Sequence, residues 1–132
     1  MTSNPHRILV VDDEEMIRES IVEFLDDNGY QAMGAADGQE ALDKLAATDP
    51  LPCLILLDLM MPVMDGRSFR EQQLQTPQLA GIPVVLFSAY RDLAKTAGEL
   101  NAAGHLPKPL KLSDLLRTVQ QHCMNGGTPA GA

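Results

Sequence analysis

Apolar residues in this chain fall into unbroken runs and helical stripes, and the two patterns alternate along its length. Ile8-Leu9-Val10-Val11, Leu54-Ile55-Leu56-Leu57 and Val84-Val85-Leu86-Phe87 read as strands buried on both faces. Tyr30 to Ala35 predicts a weaker strand. Gly104 to Lys108 predicts a short one, whose Pro107, followed by Pro109, suits only an edge position.

Helical stripes fill the intervals. Ile17, Ile21, Phe24 and Leu25 recur on one face between Glu14 and Asn28, and Asn28-Gly29 closes that helix in the manner of an αL cap. Asp37-Gly38-Gln39-Glu40 has capping-box spacing and opens a second helix through Ala41, Leu42 and Leu45, which Asp49-Pro50 and Pro52 end. A third is predicted from Arg67 to Gln75. A fourth, from Arg91 to Ala103, is weak, because Gly98 costs about 1 kcal/mol relative to Ala and the apolar face is mostly small residues. The fifth carries Leu112, Leu115, Leu116, Val119 and Cys123 on one face, with Ser113 as N-cap and Gly126-Gly127 at its end.

Five strands alternating with five helices predict an α/β fold: a doubly wound, flavodoxin-like parallel sheet, since right-handed crossovers carry helices over both faces. Strand order 2-1-3-4-5 puts the proline-bearing fifth strand on an edge and brings the ends of strands one and three together at the switch point. At 132 residues the chain suits one domain, predicted over residues 1–125, with 126–132 as a flexible C-terminal tail.

Charge narrows the function. Eighteen acids against ten Lys and Arg give a net charge of -8, which opposes binding to nucleic-acid phosphates. No apolar segment near the start has the length of a signal peptide or membrane span. Cys53 and Cys123 have no metal-ligand spacing and read as two reduced, partly buried thiols, from which a cytoplasmic setting follows.

In the predicted order, the ends of strands one, three, four and five present Asp12 and Asp13, Asp58, Ser88 and Lys108 to one shallow site. Three converging carboxylates repel unless a cation lies among them. Hard oxygen ligands with room left for water suit Mg²⁺, which binds through one or two carboxylates plus a phosphate oxygen. A phosphoryl group is the matching visitor, with Lys108 as cation and Ser88 as hydroxyl donor. Taken singly, Asp12-Asp13 is more often a helix cap, Ser88 a strand-end hydroxyl and Lys108 a solvated surface lysine; their joint placement favours the site.

That set, with Val10-Val11-Asp12-Asp13, Asp58 through Gly66 (Asp-Leu-Met-Met-Pro-Val-Met-Asp-Gly), Ser88-Ala89 and Lys108-Pro109, resembles the receiver domains of bacterial two-component response regulators, in particular single-domain CheY-like receivers. The resemblance spans nearly the whole chain. It implies that Asp58 is the phospho-acceptor, that Asp13, Asp58 and the Met60 carbonyl ligate Mg²⁺ directly, and that Asp12 acts on the metal through water. It further implies that Lys108 pairs with the phosphoryl group, that Ser88 moves to hydrogen-bond it, and that the Lys108-Pro109 bond is cis. The implied partners are a sensor histidine kinase or histidine phosphotransfer protein as donor, and a downstream protein at the face of the fourth helix, fifth strand and fifth helix.

The chain departs from that pattern in the fifth strand, where His105 stands in place of the usual Tyr or Phe of the switch. It either swings inward behind Ser88 or faces solvent. Met60 and Tyr90, two residues after Asp58 and Ser88, offer no acid or carboxamide to orient a water, which predicts a long-lived phosphoryl group. The fourth helix and fifth strand lack the charge pattern of receivers that dimerise there, so a monomer is expected. The expected protein is a switch rather than an enzyme, catalysing only its own phosphorylation and dephosphorylation. The alternative is a Mg-dependent aspartyl-phosphate phosphatase of the haloacid dehalogenase type, which needs a second acid where Met60 stands. Flavin or nucleotide binding needs a small-residue phosphate loop where Asp12 to Glu15 stand.

Overall fold

In the computed structural model, which describes residues 4–123, ten elements alternate without exception. They are β1 (Asn4–Val11), α1 (Glu15–Asp27), β2 (Gln31–Ala35), α2 (Gly38–Ala46), β3 (Pro52–Leu57), α3 (Gly66–Gln75), β4 (Val84–Ser88), α4 (Leu93–Glu99), β5 (Gly104–Pro107) and α5 (Leu112–His122). The strands form one parallel sheet in the order β2-β1-β3-β4-β5, as the sequence predicts. Every residue of β3 and β4 is buried, the environment their unbroken apolar runs demand.

The period of two along each strand divides the core. Leu9, Val11, Ile55, Leu57, Val84 and Leu86 face Ala41, Leu45, Phe69, Leu93 and Ala97 of α2, α3 and α4. Ile8, Val10, Leu54, Leu56, Val85 and Phe87 face Ile21, Leu25, Leu115 and Val119 of α1 and α5. Val11 is in register with Ala35 and Leu57, so β1, β2 and β3 finish level at one edge, while β4, whose Leu86 pairs with Leu57, runs two residues further to Ser88.

Helix ends follow local chemistry. At the end of α1, Gly29 takes a φ of 89°, Tyr30 N–H donates to Leu25 O and Gly29 N–H to Asp26 O, a complete Schellman closure. Asp37 Oδ1 caps α2 through Glu40 N–H at 2.8 Å, while Glu40 Oε1 accepts from Ala36 N–H, one residue earlier than a strict capping box requires. Asp65 caps α3 through Ser68 N–H.

Three expectations need correction. The fourth helix is Leu93–Glu99 rather than Arg91 to Ala103: Asp92 occupies the N-cap position, and just past the Leu100 C-cap Asn101 takes a left-handed φ of 56° that stops the helix. Ser113 is not the N-cap of α5: Lys111 occupies that position, and Ser113 lies within the first turn. Cys53 and Cys123 are not free thiols but a disulfide. The topology brings the start of β3 to the end of α5 across 70 residues of sequence, a proximity that spacing does not encode, and the pair no longer argues for a cytoplasmic setting. The expected stop at Gly126-Gly127 and the tail at 126–132 lie outside the described residues.

A buried polar group that periodicity does not reveal fastens α3 to α4. Arg70 donates to Leu100 O, Asn101 O and Gln73 Oε1, while Gln73 Nε2 donates to Leu79 O and Ile82 O. Burial lowers the Arg70 pKa, yet each of its three nitrogens donates to one of these oxygens. Among the described residues, no helix is long and apolar enough to cross a membrane.

Candidate functional site

The level ends of β1 and β3 set the site. Asp58 N–H donates to Val11 O and Asp12 N–H to Ala35 O, so each acid is fixed by the last ladder bonds before regularity stops. Asp12 is fully buried, Asp13 is exposed and Asp58 is only 4% exposed. One carboxylate oxygen from each lies within 4.8 Å of the others. Asp12 also has a local task, since its Oδ1 accepts from Glu14 N–H at 2.8 Å and turns the chain into α1. This is a turn bond rather than a helix cap, since the N-cap of α1 is Glu14 and it makes no side-chain cap bond.

Lys108, delivered by the end of β5, closes the cluster. Its Nζ lies 2.9 Å from Asp12 Oδ2, 3.3 Å from Asp58 Oδ2 and 3.7 Å from Glu14 Oε1, and 5.0 Å from the centre of the Phe87 ring. Burial raises the Asp58 pKa; Lys108 pulls it down and Asp12 pushes it up by less, so the net upward shift comes from burial. Burial alone would lower Lys108, but its hydrogen bond to Asp12 and the charges of Asp58 and Asp12 outweigh it, so the ammonium is held more firmly. Three carboxylates facing one ammonium leave excess negative charge. That donor set of hard oxygens fits a divalent cation such as Mg²⁺.

The loop after Asp58 is tightly specified. Met60 N–H points at Asp58 Oδ1 at 3.4 Å, and Val63 takes a φ of 66°, a left-handed conformation rare for a β-branched residue. Gly66 N–H donates to Leu59 O, and Gly38 N–H, at the head of α2, donates to Met64 O. Ser88 is buried at the end of β4, where its backbone carbonyl accepts from Lys108 N–H and its Oγ from Tyr90 N–H at 3.1 Å. The Lys108-Pro109 bond is cis, as the resemblance implies, and Asp49-Pro50 is cis as well.

The structure therefore gathers Asp12, Asp13, Asp58 and Lys108, with Ser88 on the adjoining strand end and Met60 in the following loop. His105 is not among them: it is exposed on the edge strand, in register with Leu86. The sequence reading missed Glu14, a further anion at Lys108, and Arg18, whose Nη1 donates to Asp12 O. Arg18 lies against Gly34, where a Cβ would stand 2.9 Å from its Cδ.

A doubly wound sheet with an acidic cluster and a lysine at its switch point is a CheY-like receiver architecture. The chain belongs to the response regulator receiver domain family, whose model matches residues 8–120. Over 117 residues it is 34% identical to the transcriptional regulatory protein PdtaR of Mycobacterium tuberculosis, covering 88% of this chain and 56% of that one. Over 118 residues it is 39% identical to the response regulator MprA of Mycolicibacterium vanbaalenii, covering 88% and 49%. The chain thus spans about half the length of these relatives. Among solved structures, it resembles the chemotaxis protein CheY4 of Vibrio cholerae (TM-score 0.79, 30% identity, 92% of this chain and 99% of that one). It also resembles TrrA of Thermotoga maritima in complex with Mg²⁺-BeF (TM-score 0.76, 29% identity, 92% and 98%). Receiver domains of response regulators are signalling switches that work with histidine kinases and downstream effectors.

Proposed function

We propose that this domain accepts a phosphoryl group on Asp58 from a histidine kinase or histidine phosphotransfer protein, and that the modified site changes binding of a downstream protein. The observation that carries this reading is a buried Asp58 carboxylate beside two further carboxylates and 3.3 Å from Lys108 Nζ. In the transfer, the donor's P–N bond breaks as a P–O bond forms to Asp58, and the phosphoryl oxygens take up the Lys108 ammonium now shared by Asp12 and Asp58. Asp13, Asp58 and the Met60 carbonyl would hold Mg²⁺ directly and Asp12 through water. Bound there, the ion offsets the charge between carboxylate and incoming phosphoryl oxygens.

Ser88 is the group placed to exchange its bond from Tyr90 N–H for one donated to the phosphoryl group. His105, solvent-facing in this structure, would follow Ser88 inward. The response would then reach the face of α4, β5 and α5, where the target binds. An apolar groove lined by Met16, Ile17, Phe87, Pro109 and Leu112 adjoins Lys108 and offers the donor protein a seat next to Asp58. The protein acts as a monomer in this reading and turns over only its own phosphoryl group.

Intact mass after incubation with acetyl phosphate and Mg²⁺ tests the central step. One phosphoryl per chain is expected, mapped to the peptide containing Asp58 and absent after chelation of the metal. An adduct on any other residue, or one indifferent to chelation, would sink the reading.

The lifetime of that adduct is a separate prediction. Met60 is 68% exposed at the mouth of the site, and Tyr90 lines the same opening. Neither can orient an attacking water. Met60→Asn is expected to hasten phosphoryl loss roughly tenfold by supplying a positioned carboxamide; an unchanged decay rate would show that water is ordered by something else.

A further inference from the structure

We infer that the Cys53–Cys123 pair is a thiol-redox modification site that clamps the C-terminal end of α5, independently of the phosphoryl chemistry. Among the described residues, no side-chain hydrogen bond or ion pair joins α5 to another element; its one ion pair, Arg117 to Asp114, lies within the helix. Its N-cap position makes no side-chain bond, and it rests on the sheet through Leu115 and Val119. Among the described residues, its only tie beyond apolar packing is the disulfide at its C-cap, Cys123, to the second residue of β3.

Position separates this clamp from the acidic site. Cys53 lies at the start of β3, whereas Asp58 follows its end, so the two chemistries occupy opposite edges of the sheet. The bond encloses 70 residues, a loop long enough that closing it in the unfolded chain is a large constraint. Each cysteine keeps 7% of its surface accessible, close enough to solvent for exchange once the helix end frays. Disulfides are rare in reducing compartments, and those found there are mostly redox-sensing or catalytic.

The reaction partner is a dithiol. One of its thiolates attacks a bridging sulfur, forming a mixed disulfide and releasing the other cysteine as thiolate. Its second thiol then displaces the remaining cysteine. Two electrons pass to the protein, the dithiol leaves as a disulfide, and two protons complete the Cys53 and Cys123 thiols. The helix end is then held by packing alone.

The test uses the full chain, oxidised or treated with dithiothreitol. Alkylation in denaturant followed by mass measurement should add no label to the oxidised protein and two to the reduced one. Reduction should lower the melting temperature by about 10 °C and speed hydrogen exchange of α5 amides about tenfold or more relative to β1 and β3 amides. A Cys53→Val, Cys123→Ala variant should show the reduced behaviour with or without reductant, and acetyl phosphate labelling should proceed at the same rate in both redox states. Two labels on the untreated protein, equal melting temperatures, or exchange that quickens equally throughout the sheet would overturn the inference.

Discussion

Asp58→Asn is expected to abolish the phosphoryl adduct and, in metal-free buffer, to raise the melting temperature. The first result follows from removing the accepting oxygen: an amide is not a nucleophile towards phosphorus, and no other buried carboxylate is as close to Lys108 except Asp12, which is already committed to Glu14 N–H. The second follows from the electrostatics. Asp58 is buried beside Asp12, and its pKa is raised by burial and then by that neighbour, despite Lys108. A folded-state pKa above the unfolded value of 3.8 means that the folded chain binds more protons between the two. Stability therefore falls as pH rises through that window, and above it the charged form is a standing cost. Asn keeps the size and removes the charge, while Lys108 retains Asp12 at 2.9 Å. The stabilisation should vanish in acid, where Asp58 is protonated, and should reverse when Mg²⁺ is added, since only the wild type keeps all three carboxylates for the ion. Melting curves across pH, with and without Mg²⁺, check all three parts. A metal-free variant less stable than wild type at neutral pH would show that the Lys108 pairing outweighs burial.

The parts of this site that lie at strand ends were legible in the sequence because a buried parallel strand is an apolar run that stops abruptly, and the residues just past its end lie at the ligand-binding edge. Asp12, Asp58 and Ser88 could be placed together from three such stops, and Lys108 from the short edge strand and the strand order. The Schellman closure at Gly29 and the Asp37 cap were legible for the same reason, since both are set by neighbours in sequence. The features that remained hidden depend on distant segments meeting. Arg70 appears in the sequence as one more helical charge, and only the approach of the α4 end supplies Leu100 O and Asn101 O. Glu14 and Phe87 flank Lys108 through tertiary packing, and the disulfide joins two residues that read as reduced, partly buried thiols. His105 lay between two readings because an edge strand exposes one face; its side chain is on the solvent side in this structure.

The Asp58 carboxylate also depends on a residue with no side chain. Gly66, the first residue of α3, packs so closely beneath the site that a Cβ there would stand 2.4 Å from Asp58 O and 2.9 Å from Leu59 Cα. These are backbone atoms held by the ladder bond from Asp58 N–H to Val11 O and by Gly66 N–H donating to Leu59 O, so neither can swing aside as a flexible side chain would. In an ordinary helical position Gly→Ala gains about 1 kcal/mol. At Gly66 the overlap reverses the sign, and Gly66→Ala should cost about 2–4 kcal/mol, in the range of overpacked core sites. Gly98→Ala is the matched control, because nothing lies within 4 Å of a Cβ built there and the substitution should stabilise. Urea midpoints at an unchanged slope would measure both. Since the displaced atom is the carbonyl of Asp58, the proposed phospho-acceptor, Gly66→Ala should also slow Mg²⁺-dependent labelling in conditions where the variant is fully folded. Labelling at the wild-type rate alongside a lost stability of about 2 kcal/mol or more would mean that the strain relaxes into α3 and leaves Asp58 in place.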